Sequence, residues 1–166
     1  MPVHHRRSGA LSRPQRRKLV WATTNQSVTI ASGAHTTIDL GASLEVAGAS
    51  TLGVTIMRTH IQWAMSNWAT VGDALIYGLI VVRDTDIGAG NGPNPNADPE
   101  VDWMLLTQIT PVSSGAAVSA ADRWTTDNRS KRKMEEMGQK YGLAITNTSA
   151  ASKTLFVFAR VLLALP

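Results

Sequence analysis

The sequence predicts an all-β protein, folded as an antiparallel sandwich or barrel, and three features carry that expectation. The stretch 74–83 is apolar on both parities, with Leu75, Tyr77, Leu79 and Val81 on one face and Ile76, Ile80 and Val82 on the other. A strand patterned in this way is covered on both sides, and its β-branched and aromatic content disfavours a helix. Residues 54–65 instead alternate, with Met57, Ile61, Trp63 and Met65 facing one way and Arg58, His60 and Gln62 the other. That is the period of a half-buried strand. Gly, Ser and Pro separate seven to nine extended segments of this kind, the punctuation of a sandwich or barrel. No repeat of roughly 20–50 residues points to a propeller or solenoid.

Taken in order, residues 18–24 and 27–31 read as two extended segments leading into a turn at Ser32-Gly33, and 35–40 is a threonine-rich strand. A Gly/Ala/Ser-rich connection, 41–53, precedes the alternating strand 54–65 and the central strand 74–83. The run 85–100 holds three glycines and three prolines, so it is expected to project from the surface and to accept an insert between Asn91 and Gly92. Val101–Ile109 reads as a strand with Val101, Trp103, Leu105 and Ile109 on one face, and a Ser/Ala/Gly-rich linker, 113–121, follows. The stretch 127–140 is ambiguous. Met134, Met137 and Tyr141 have helical spacing closed by Gly142. The alternative, favoured by its β surroundings, is a strand to about Met134, a turn near Gly138 and a strand through 141–146. The last segment, 154–165, is apolar on both parities and is the expected partner of the central strand.

A chain of 166 residues fits one domain with a real core. Its hydrophobic content of 43% and mean hydropathy of -0.05 describe an ordinary globule. The absence of cysteine excludes disulfides, thiolate chemistry and sulfur-built zinc sites. Arg160 interrupts the apolar C-terminal run, and no apolar segment follows the basic N-terminus, so neither a membrane span nor a secretory leader is expected.

Charge is unevenly placed. Residues 1–18 carry Arg6, Arg7, Arg13, Arg16, Arg17 and Lys18 and no acid. Removing those six from the 16 Lys and Arg leaves ten against 12 Asp and Glu, so the body is at -2. The expected division is a basic arm over 1–18 and a single β domain over 19–166. Pro2, Gly9 and Pro14 break any helix in the arm. A tethered run of Arg and Lys suits neutralisation of phosphates, because it displaces counterions without fixed geometry.

A basic arm before one all-β domain resembles the coat proteins of small icosahedral viruses with a single jelly roll. Short segments at 58–60, 78–82, 102–103, 127–133 and 160–163 are similar to small capsid-type proteins of phages and environmental viruses. The resemblance implies an eight-stranded jelly roll that self-assembles into a capsid around a genome, located in the virion. Its partners would be copies of itself and viral nucleic acid bound without sequence preference, with the arm facing inward or threading between subunits. Two alternatives stand beside it: an accessory protein decorating or spiking a larger phage head, and a cellular β-sandwich binding module with a basic tail.

Sharper chemistry finds little support in the sequence. The acidic loop 84–102 offers the oxygen ligands a hard cation prefers, but Ala89 and Pro95 stand where an EF-hand needs Gly and Glu. No His-x-x-x-His pair, Gly-x-Ser-x-Gly elbow or phosphate-binding Gly-x-x-x-x-Gly-Lys loop occurs. The chain is therefore read as a non-enzyme with no metal, cofactor, membrane or small-molecule substrate. A second basic cluster, Arg129, Lys131, Arg132 and Lys133, has Glu135 and Glu136 close behind. It is either a salt-bridged surface or a nucleic-acid patch. The five tryptophans read as core or interface anchors. Arg160, if buried, needs a partner, with Asp73, Asp84 and Asp127 as candidates; otherwise it faces solvent or a subunit contact.

Overall fold

The computed structural model describes residues 17–41, 52–66, 74–110 and 122–166. The strands are β1 (Lys18–Ile30), β2 (His35–Asp39), β3 (Thr55–Ser66), β4 (Leu75–Arg83), the short β5 (Gly88–Ala89), β6 (Leu105–Ile109), β7 (Asp122–Asn128), the short β8 (Arg132–Lys133), β9 (Gln139–Asn147) and β10 (Lys153–Leu165). They form two antiparallel sheets. The first has the order β1-β10-β3-β7, with β8 also on β3, and the second has β5-β2-β9-β4-β6. Setting aside the two short strands, eight remain, four per sheet, with the first and last strands of the chain side by side. That order belongs to one architecture. The fold is a jelly roll.

Period-2 alternation puts the core between the sheets. From the first sheet come Ile61, Trp63 and Met65 on β3 and Leu155, Val157, Ala159, Val161 and Leu163 on β10; from the second come Leu75, Tyr77 and Leu79 on β4 and Tyr141, Leu143 and Ile145 on β9. Two contacts tie the layers together. The rings of Trp63 and Tyr77 sit 4.7 Å apart at a 55° tilt, and the Tyr141 phenol meets the Thr59 hydroxyl at 2.5 Å in the buried interior. At one end Asn147, fully buried, donates to the carbonyls of Ile30, Ala31 and Ala151 and accepts from the Ser149 N–H.

Several sequence expectations need correction. Residues 18–30 are one continuous strand, because Asn25 and Gln26 keep the ladder through Phe158 and Val157. In β3 the alternation breaks at Met57: Leu162 faces Arg58 and Leu163 faces Ile56, so Met57 is an extra residue in the ladder. This bulge exchanges parity and buries Ile56, at 0% exposure, in place of Met57. The two doubly apolar strands do not pair. β10 lies between β1 and β3, and β4 between β9 and β6, so they belong to opposite sheets. Residues 127–140 take the strand-turn-strand course, with β9 starting after Gly138.

The largest departure is the loop 84–104, which lies down instead of projecting. It covers the outer face of the second sheet, which explains why β4 is apolar on both sides. Its segment Gly88–Ala89 pairs with Thr36 and Thr37 of β2, and Thr37 donates its hydroxyl to the Asn91 carbonyl at 3.1 Å. The Thr146 hydroxyl donates to Asn94 at 2.6 Å. Trp103 does not extend β6. Its ring rests over Gly78 on the outer face, and its indole N–H reaches the Asp98 carbonyl at 2.9 Å. The connections 42–51 and 111–121, including the predicted linker, lie outside the described residues.

Candidate interaction surface

Among the described residues, nothing covers the first sheet in this way. On its outer face β10 presents Phe156, Phe158 and Arg160, β1 presents Leu19 and Trp21, and β3 presents Arg58, His60 and Gln62. Leu19, Trp21, Phe156 and Phe158 are all large and exposed. Arg160 is exposed and needs none of the carboxylates proposed for it: its guanidinium lies over the Trp21 ring, 4.8 Å from the centroid. Asp84 is instead within 3.4 Å of Lys140, Asp127 belongs to Arg58, and Asp73 lies outside the described residues.

Asp127 gathers two cations on this face. Arg58 binds it through two parallel hydrogen bonds of 3.0 and 2.6 Å, and Arg129 approaches to 3.7 Å. The bidentate bond holds the Asp127 carboxyl below its ordinary range and raises the Arg58 guanidinium. Of the predicted second cluster, Arg129 is thus tied to Asp127 and Arg132 to Asp102. Glu135 and Glu136 instead donate their backbone N–H groups to Gln139. Lys131 and Lys133 are exposed beside an open cleft of about 340 Å³ that Glu135 and Glu136 also line, a surface of mixed sign.

Of the predicted arm residues, Arg6, Arg7, Arg13 and Arg16 lie outside the described residues. Arg17 donates to the Thr55 hydroxyl at 3.3 Å, and Lys18 is the first residue of β1, opposite Leu165. Thr55 is also the ladder partner of Lys133. The base of the arm and the second basic cluster, separate in sequence, therefore meet at one end of the first sheet. Sequence reasoning missed the aromatic face itself. The signal was present: Phe156, Phe158 and Arg160 share a parity, and an arginine in line with two phenylalanines marks a face in water.

In the acidic loop the four aspartates each have their own bond. Asp84 faces Lys140, Asp86 accepts from the Arg83 N–H, Asp98 accepts from the Asn94 N–H and Asp102 pairs with Arg132. Among the described residues no three His, Cys, Asp or Glu side chains converge as metal ligands.

No protein-family model matches the chain, and no curated protein matches it. Among solved structures it is similar to the empty head of turnip yellow mosaic virus, at 9% identity and a TM-score of 0.48, with 99% of this chain and 89% of that one covered. It is similar to Eiger TNF from S. frugiperda at 14% identity and a TM-score of 0.47, covering 90% of this chain and 94% of that one. A third similar structure is the decameric BFDV capsid protein, at 11% identity and a TM-score of 0.41, with 89% and 98% covered. The assignment of the fold rests on the strand order, to which these likenesses add nothing.

Proposed function

We propose that this chain is a self-assembling coat protein of a small virus or phage, located in the virion, with no enzymatic role. The observation that carries the reading is the partition of charge over the fold. A domain at -2 is led by a segment with six cations and no acid, and that segment enters the jelly roll directly through edge strand β1. An edge strand of 13 residues, paired among the described residues on one side with β10, suits association with further copies.

In this reading the arm, 1–18, has a mixed role. Arg6, Arg7, Arg13, Arg16, Arg17 and Lys18 meet viral nucleic acid without sequence preference, while Val3, Ala10 and Leu11 pack against neighbouring subunits. Lys131 and Lys133, at the same end of the sheet, supplement the arm. A shell on the order of sixty copies would bring only about 360 arm charges to the genome, too few for the arm to serve packaging alone.

Light scattering and negative-stain imaging of the full chain at neutral pH and physiological salt test the proposal. Closed particles are expected. A discrete trimer or pentamer would favour an accessory virion protein, and a monomer at high concentration would favour a binding module. Deletion of residues 2–17 is expected to weaken assembly even without nucleic acid. Particles of unchanged size and stability that merely lack nucleic acid would reduce the arm to a packaging tail.

A further inference from the structure

We propose that the outer face of the first sheet binds single-stranded nucleic acid, stacking bases along a row formed by Trp21, Arg160, Phe158 and Phe156. This goes beyond a flexible arm that neutralises phosphates. It rests on the coat reading only for the source of the ligand, since binding would be a property of the single chain.

The row follows from the register. Trp21 faces Leu162, Thr23 faces Arg160, Asn25 faces Phe158 and Ser27 faces Phe156 across the β1–β10 ladder. Successive same-face positions on a strand are roughly 7 Å apart, so the row extends over roughly 20 Å. Trp21, Phe158 and Phe156 are 47%, 38% and 49% exposed, and the guanidinium against Trp21 adds a flat cationic surface to the line. Hydrogen-bonding groups flank these platforms. Asn25 and Gln62 stand on either side of Phe158, and Thr23 and His60 on either side of Arg160. Flat apolar rings with amide, hydroxyl and imidazole groups beside them are what unstacked bases require.

Charge points to the same ligand. Among the described residues of this face, Arg58, Arg129 and Arg160 stand against the single carboxylate of Asp127. The row starts beside the end where Arg17, Lys18 and Lys133 gather. A second copy of the chain fits this face less well. The centre of a contact between copies is depleted of charge, and here Arg160 stands within the row, with Arg58 and Asp127 on the next two strands. A stacked single strand keeps the guanidinium in use and leaves its phosphates facing the arginines.

The test is fluorescence anisotropy with fluorescein-labelled oligothymidylate and oligouridylate of about twelve nucleotides, on the full chain and on a chain lacking residues 2–17. Phe158→Ala, Trp21→Ala and Arg160→Ala are each expected to weaken binding roughly 5- to 100-fold. Phe158→Tyr should retain it, and circular dichroism should show all variants folded. Binding by the truncated chain that is less salt-dependent yet still sensitive to Phe158→Ala would support the proposal, because stacking releases no counterions. Two results would overturn it: affinity that depends on the arm alone, or face variants that lose assembly in light scattering while binding both oligonucleotides normally. The second result would make the face a contact between copies.

Discussion

The ring of Trp103 lies so close to Gly78 that a β-carbon on Gly78 would stand 2.3 Å from its Cε3 atom. Glycine is thus dictated at the middle of a central strand by a residue 25 positions later, at the end of the loop that covers the sheet. Gly78→Ala is expected to lose about 1–3 kcal/mol in urea denaturation, because the indole must leave its seat. Adding Trp103→Ala should recover part of that loss. Additive losses in the double variant would show that the two residues do not share the site.

The same loop is expected to reject insertion. Gly92 has φ +75°, and a β-carbon there would approach the Asp86 carbonyl oxygen at 2.8 Å, while the Asn91 carbonyl holds Thr37. Gly92→Ala should cost about 1–2 kcal/mol. A flexible insert between Asn91 and Gly92 should lower the melting temperature and increase protection loss in β2 by hydrogen exchange. An insert that leaves both unchanged would mean the loop does not hold the sheet.

Between the layers, Tyr141→Phe removes a partner from the buried Thr59 hydroxyl. Burial pushes the Tyr141 phenol well above its ordinary value, so it remains neutral through the accessible pH range. The variant should be destabilised by about 1–2 kcal/mol, and Thr59→Val in the Tyr141→Phe background should regain part of this, since no orphaned hydroxyl remains. The check is a double-mutant cycle by chemical denaturation, in which zero coupling would contradict the bond.

Asp39 predicts a pH effect. Its carboxyl lies 3.8 Å from the Lys140 ammonium and accepts the Gly41 N–H at 2.7 Å. Burial raises it above its ordinary value, although that N–H and the ammonium pull it down. A carboxyl with a raised folded-state value binds its proton more tightly when folded. It therefore weakens stability at neutral pH, and that penalty fades as pH falls through the folded value. Relative to the wild type, Asp39→Asn should fare best near neutral pH and lose ground by about pH 4. Parallel stability profiles for the two proteins would refute the assignment.

Much of this architecture was legible in the residues. Parity in 54–65 identified a strand, and it correctly gave the buried face from Ile61 to Met65, because a side-chain period of two is a local property of extended backbone. The uneven charge of residues 1–18 was equally legible. What covers a strand is not a local property. The apolar outer face of β4 announced that something lies on it, but only the tertiary structure supplied Trp103 and the loop 84–104 as the cover. Neither could parity tell that β4 and β10 belong to opposite sheets, since both read as interior strands. Arg160 looked like a charge in need of a carboxylate until folding set Trp21 beneath it. Thr55 likewise became the meeting point of Arg17 and Lys133 only through pairings that join residues 38 and 78 positions apart, which no local pattern encodes.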